Sequence, residues 1–271
     1  MSLTLSIIIV SWNTRDTLEG CLNSLYASEV DIPFETIVLD NASTDGSPHM
    51  VEQEFPEARL IINERNVGFA GAANQGIRSS KIPYILLINS DTLLGGNTIQ
   101  DMIRFMEEHP KAGAMGPRLV LPDGSPQPYS FGCDPTIGYL LRRGLNLLLR
   151  KGYLHNWGTE EVQEVDWVSG ASLVLRRGAL EETGLLDESF FLYFEDNDLC
   201  LRLRQKGWKI YFNPQVSVVH LGGESLVKNE PARAEYYHSL LYFYSKHYGK
   251  LRTAILIMLL PFYRRLVMLR K

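Results

Sequence analysis

The sequence predicts an α/β fold: a mostly parallel central sheet flanked by helices, with a helical tail at the C-terminus. Two observations carry this. Short apolar, β-branched runs alternate with helix-like segments through residues 1–120, and strand–helix alternation builds parallel sheets covered on both faces. The composition agrees, because 45% hydrophobic and 21% charged residues over 271 positions supply a sizeable core and exclude a disordered or collagen-like chain.

The first run, Leu5–Val10 (LSIIIV), is apolar without alternation, as a strand buried on both faces requires. Thr17–Tyr26 follows as a helix, with Asn13 as its candidate N-cap. Thr36–Leu39 and Arg59–Ile62 are the next strands, with helices over Pro48–Glu54 and Ala70–Arg78. Tyr84–Ile88 is the fourth strand, and Thr98–Glu108 a helix opened by Asn97. From Leu121 to Trp157 the pattern weakens. Asp123-Gly124 and four prolines (Pro122, Pro126, Pro128, Pro135) mark turns, Leu140–Leu149 is apolar and basic, and the whole reads as a long insertion or flexible loop. Structure resumes with Trp167–Leu175, the aromatic run Phe190–Phe194, a helix near Asp196–Gln205 and a strand around Val216–Val219. There is no internal repeat, so one domain plus a tail is the economical organisation.

The formal net charge of -4 is unevenly spread. Past Glu235 there is no acid, yet Lys246, Lys250, Arg252, Arg264, Arg265, Arg270 and Lys271 are basic; the 20 basic and 31 acidic residues before Tyr236 leave -11 there. Such a body is unsuited to nucleic acid, while the tail suits an anionic surface. Ala254–Leu260 is apolar all round but too short to span about 30 Å of hydrocarbon, and Pro261 interrupts it. The tail, with its aromatic stretch Tyr236–Tyr248, is therefore expected to lie in a membrane interface, the alternatives being packing on the body or in a homodimer. Three dispersed cysteines (Cys21, Cys133, Cys200) exclude a paired disulfide framework and suit a reducing compartment. The N-terminal apolar run lacks a basic n-region, so no signal peptide is expected.

In a parallel sheet ligands sit beyond the carboxyl ends of the strands, so the polar residues there carry the chemistry. Ser11-Trp12-Asn13 contains no glycine, which removes the main support for a dinucleotide-binding oxidoreductase. Asp40 can accept hydrogen bonds from a base or ribose, and serves equally as a loop cap. Asn66–Asn74 (NVGFAGAAN) sets glycines before a helix, where backbone N–H groups approach an anion or simply pack tightly. Asp91, in Asn89-Ser90-Asp91-Thr92, is an oxygen ligand suited to a hard divalent metal, or a turn aspartate. Glu195 and Asp196 follow the aromatic run, whose low-dielectric wall would raise a carboxylate pKa; Asp198 pairs with Arg202 at i,i+4. His220 ends an apolar strand before Gly222-Gly223, as a metal ligand or a structural histidine.

Taken together, IIIVSWN, IVLDNASTDGS, NERNVGFAGAANQG, ILLINSDT, WVSGASLVLRR, FFLYFEDNDLCLRLRQKGW and VVHLGGES resemble, in order from about Leu5 to Ser225, the family 2 glycosyltransferases of GT-A fold, and particularly their rhamnosyltransferase-like branch. The resemblance implies a GT-A domain over 1–235, with a nucleotide-binding half at 1–120 and an acceptor-binding half at 121–235, and a basic, apolar tail at 236–271. It implies a nucleotide bound by Ser11, Asn13, Asp40, Asn41, Gly68, Phe69, Gly71, Asn74 and Ser90, and an acceptor bordered by Trp167, Gly170 and Ala171. The ED motif falls on Glu195-Asp196, with Asp196 the base. The DxD motif reads Asn89-Ser90-Asp91, so only Asp91 carries over as a carboxylate, with His220 completing a site for Mg2+ or Mn2+. The implied reaction is inverting transfer of a sugar, rhamnose foremost, from a dTDP- or UDP-linked donor to a saccharide or lipid-linked acceptor in bacterial surface polysaccharide assembly. Its implied location is the cytoplasm, at the inner face of the cytoplasmic membrane. The alternatives are a sugar-1-phosphate nucleotidyltransferase, whose glycine- and lysine-rich loop is missing after the first strand, and a non-catalytic nucleotide-sugar-binding module.

Overall fold

The computed structural model describes residues 4–28, 30–222 and 230–268, the side chains of Leu147, Glu230 and 262–268 excepted. Strands β1 (Leu5–Ser11), β2 (Phe34–Asp40), β3 (Arg59–Ile62) and β4 (Tyr84–Asn89) alternate with helices α1 (Arg15–Tyr26), α2 (Ser47–Glu54) and α3 (Gly68–Ser79). They pair in parallel in the order β3-β2-β1-β4. The chain thus steps one way from β1 through β2 to β3, then returns to the other side of β1 for β4. That reversal is a topological switch point between the ends of β1 and β4, the crevice where ligands bind in open α/β sheets.

Beyond β4 the sheet becomes mixed. β5 (Thr92–Leu93) and α4 (Thr98–Glu108) lead into β6 (Ala112–Val120), and β10 (Ser172–Arg176) wedges antiparallel between β4 and β6. The long β11 (Lys209–His220) runs parallel to β6 and antiparallel to β5, which sets His220 opposite Thr92. β6 was not foreseen: Gly113 and Gly116 replace the expected β-branched residues, because a Cβ there would stand 2.8 Å from Trp208 and 2.7 Å from Val168. One core fills each side of the sheet, with α1, α2 and α4 over one face and α3, α6 (Arg177–Thr183) and α7 (Glu195–Gln205) over the other.

The stretch from Leu121 to Trp157 is more ordered than a flexible loop. The turn at Asp123-Gly124 closes with Gln127 N–H donating to Leu119 O at 2.8 Å. β7 (Phe131–Gly132) pairs with β9 (Trp167–Val168), α5 spans Ile137–Leu148, and β8 (Gln163–Glu164) joins β11. The tail is two helices, α8 (Glu230–His247) and α9 (Gly249–Met268). Part of α8 is committed to the body: Leu240, Phe243 and Tyr244 are buried against Phe190 and Phe194 in a third cluster. The expected boundary at 235/236 falls inside α8. Among the described residues no helix is long and apolar enough to cross a membrane.

Candidate active site

The ends of β1 and β4 are tied by hydroxyls. Thr14 Oγ1 is hydrogen-bonded to Ser11 Oγ at 2.9 Å and to Ser90 Oγ at 2.8 Å. Sequence reasoning passed over Thr14, which also occupies the N-cap position of α1 expected for Asn13. Asn13 instead takes a left-handed φ of 53° and clamps the loop after β2, accepting from Thr44 N–H at 2.8 Å and donating its own N–H to Ser43 Oγ at 2.9 Å. Asn97 holds the N-cap position of α4 without a side-chain cap bond. Asp40 is buried; its Oδ2 accepts Ser43 N–H, while its Oδ1 has no partner within the described protein. A buried acceptor of that kind calls for a donor from elsewhere.

Asn41 links this loop to the glycine segment, donating to Gly68 O at 3.1 Å and accepting from Asn63 and Val67 N–H. Gly68 has φ 79°, and a Cβ there would lie 2.7 Å from Phe191 O, which also accepts Phe69 N–H at 2.9 Å. Gly68→Ala is therefore expected to cost about 1–3 kcal/mol through backbone strain and overlap, read as a lower urea midpoint; an unchanged midpoint would mean that the loop is not docked on Phe191. Two further residues of the expected nucleotide site make contacts within the protein. Asn74 is fully buried and braces the 186–188 segment, donating to Leu186 O and Glu188 Oε1 and accepting Leu186 N–H. Gly71 packs on Val67.

The segment before α7 is strained: Tyr193 and Phe194 both have φ 67°, a non-glycine conformation that clusters at functional sites. It delivers Glu195 and Asp196 into the first turn of α7. Asp196 accepts Gly170 N–H at 2.9 Å and Asn197 N–H at 2.7 Å. With its amide nitrogen turned toward Asp196, Asn197 also donates to Oδ1 at 3.2 Å and accepts Trp167 Nε1–H at 3.1 Å. Burial pushes the Asp196 carboxyl above the ordinary range despite those donors, and burial together with the Asp196 charge pushes Glu195 well above it. A Cβ on Gly170 would stand 3.7 Å from both Asp196 and the Phe69 ring, so the glycine loop reaches the acid pair. Ala171 O accepts Asn89 N–H at 3.0 Å. Residues 170 and 171 thus join Asp196 to the strand that ends in Asn89-Ser90-Asp91.

At that strand end Asp91 Oδ1 meets His220 Nε2 at 3.1 Å. His220 Nδ1 lies 2.9 Å from Gln127 Oε1, both residues being buried. With its Nδ1–H donated to Gln127, the imidazole turns a lone pair toward a carboxylate, and two acceptors at that distance need a proton or a cation between them. Asn89 Nδ2, at 3.5 Å, is the nearest donor to Nε2. A Cβ at Gly222 would collide with the Asp91 carboxylate. Gln127, which sequence reasoning missed, fixes the tautomer of His220 and would be the outer partner if the imidazole held a metal. Among the described residues no third His, Cys, Asp or Glu joins the pair, so a divalent ion there would complete its oxygen-rich shell from a bound diphosphate and water.

Asp198 is more than half of an i,i+4 pair. It is fully buried, and it accepts Arg202 Nε at 2.7 Å and both Lys246 Nζ and His247 Nε2 at 2.6 Å, the latter two from the end of α8. Burial would raise its pKa, and these three partners more than offset that.

Comparison with known proteins follows the same lines. The sequence profile described as Glycosyl transferase family 2 matches residues 6–154, and that of Glycosyl transferase family group 2 matches residues 84–269. An N-acetylglucosaminyl-diphospho-decaprenol L-rhamnosyltransferase of Mycobacterium tuberculosis is 29% identical, over 94% of this chain and 89% of that relative. A low-salt glycan biosynthesis hexosyltransferase of Haloferax volcanii is 27% identical over 80% of the chain and 66% of its own length. Among solved structures, a mannosyltransferase from Pyrobaculum calidifontis in complex with GDP-Man and Mn2+ superposes with a TM-score of 0.62 at 19% identity, over 92% of this chain. GalNAc-T7 with UDP, GalNAc and Mn2+ does so with a TM-score of 0.63 at 17% identity, over 88% of this chain. The chain spans 65% and 47% of those two solved chains, and the likeness is one of fold, GT-A.

Proposed function

Because the chain belongs to glycosyl transferase family 2, we propose that it is an inverting transferase that moves a sugar, rhamnose foremost, from a dTDP- or UDP-linked donor to a saccharide or lipid-linked acceptor in bacterial surface polysaccharide assembly. The observation that carries the reading is the pairing of two chemistries across Gly170 and Ala171. On one side is the Asp196 carboxylate, oriented by Gly170 N–H; on the other is the strand end where Asp91 meets His220. An acceptor hydroxyl must lose its proton as it attacks the anomeric carbon, and Asp196 takes it. Trp167 and Gly170 border the acceptor, and no covalent glycosyl-enzyme is needed. Asp91 and His220 would hold Mg2+ or Mn2+, which supplies charge compensation for the departing diphosphate. Asp40 Oδ1, a buried acceptor without a protein donor, suits the ring N–H of a uracil or thymine base, which favours the two pyrimidine carriers.

The mycobacterial relative, aligned over nearly the whole chain, supports rhamnose and a diphospho-polyprenol acceptor, and with them a place at the inner face of the cytoplasmic membrane. Incubation with dTDP-rhamnose or a UDP-sugar and an N-acetylglucosaminyl-diphosphate lipid should release nucleoside diphosphate in step with glycosylated lipid. Release of pyrophosphate would instead point to a nucleotidyltransferase. Donor binding without turnover on any acceptor would point to a binding module.

A further inference from the structure

We infer that α5 and the outer face of α9 form a surface that docks on an anionic lipid bilayer, lying in its interface. At about 100° per residue, Ile137, Leu140 and Gly144 fall on one side of α5, where Ile137 and Leu140 pack into the cluster that holds Tyr244 and Leu256. Leu141, Leu145 and Leu148, with Leu149 just past the last turn, continue that apolar arc, and each is more than half exposed. The apolar arc therefore extends well past the part the protein covers, beyond what a surface helix needs to bury. α9 runs along the covered side, turning Leu256 inward while Leu251, Ile257 and Met258 are more than half exposed. Just past α5, the exposed Tyr153 packs edge-on against Tyr129 and lies 4.9 Å from the Trp157 ring, and such amphipathic rings favour the level of lipid headgroups.

Charge selects the occupant. Between Asp134 and Glu160 there is no acid, and Arg142, Arg143, Arg150 and Lys151 lie there; past Glu235 there is again no acid, and the exposed Lys250 and Arg252 open α9. Outside these two stretches, 16 basic and 31 acidic residues leave -15 on the rest of the chain. The fold brings α5 and α9 together, though about a hundred residues separate them in sequence. A second copy seated here across a two-fold axis would set basic rim against basic rim, which like-charge repulsion opposes. A layer of anionic headgroups neutralises the rim while the leucines enter the acyl boundary. Arg142, Arg150 and Lys151 are exposed and so available to it. The α5 half of this surface extends the expectation that the tail alone meets a membrane. The inference rests on the proposed function only for its purpose, the meeting with a lipid-linked acceptor.

Sedimentation with phosphatidylcholine vesicles, with and without phosphatidylglycerol, tests it on the full chain without any donor. The protein should pellet with the anionic vesicles at roughly 0.1 M salt and far less at about 1 M, and it should stay in the supernatant with neutral ones. Leu145→Glu combined with Leu148→Glu should weaken pelleting by about tenfold or more, with an unchanged melting temperature because both side chains already face water. Arg150→Glu with Lys151→Glu, which touches no packed residue, should do the same by charge alone. Equal pelleting of the variants and the wild type would overturn the inference, as would wild-type protein that stays in the supernatant at low salt. A dimer in light scattering that the leucine variant splits would also overturn it, in favour of a contact between copies. Pelleting without transfer would keep the surface and sink the proposed function; transfer to a soluble acceptor without pelleting would do the reverse.

Discussion

Asp196→Asn is expected to lower sugar transfer by about 10² to 10⁴-fold, the usual worth of a general base, while donor binding stays nearly unchanged. Asparagine keeps the shape, and its carbonyl oxygen can still accept Gly170 N–H, which now reaches the carboxylate at 2.9 Å. The proton acceptor is lost, together with the Oδ1 acceptor of Asn197 N–H. The pH profile adds a second check. Burial raises the Asp196 pKa, so the group must lose its proton before it can act, and activity should rise with pH through a limb above the ordinary carboxylate range. That limb should vanish in the residual activity of the variant. The same shift acts on stability with the opposite sense: a carboxyl whose folded pKa is raised favours the folded state while protonated, and that contribution is lost as pH rises through the folded pKa. A variant with more than about half the wild-type rate would move the base elsewhere, first to Glu195, whose buried carboxyl is shifted upward still more clearly.

The second large effect is expected at the strand end of β4. Asp91→Ala and His220→Ala should each reduce transfer by roughly 10²-fold or more, since a cation facing the departing diphosphate contributes several kcal/mol of charge stabilisation. Both should also weaken binding of the nucleoside diphosphate alone in calorimetry, and a chelator should reproduce that loss in the wild type. His220 and Asp91 stand 3.1 Å apart, so either substitution leaves the other without its partner. Diphosphate affinities that ignore the chelator, in wild type and variants alike, would mean that the pair works through a shared proton.

Much of the nucleotide half was legible because its signals are local. The four apolar runs predicted β1 to β4 within two residues at each end, and the polar residues after them are the ones the fold gathers. What escaped depends on distant partners. Gln127 looks like any loop glutamine until β11 carries His220 to it across 93 positions. Asp198 read as a local pair with Arg202, because nothing near it announces Lys246 and His247. Asn74 came only with the resemblance, and nothing near it announces that its amide closes on Leu186. α5 was lost among flanking prolines and glycines, although its leucine spacing is helical.

The last turn of α8 also bears on where the chain can be cut. Lys246 lies 2.7 Å from Asp187 and 2.6 Å from Asp198, so one ammonium bolts the segment before the acid pair to the helix that carries it. His247 adds a second bolt to Asp198. Cutting the chain at residue 235 would strand a fully buried carboxylate two positions from Asp196 with Arg202 as its remaining cation, and burying an underpaired charge is among the costlier defects a protein can carry. Any graft, fusion or trimmed version of this enzyme should therefore keep everything through His247.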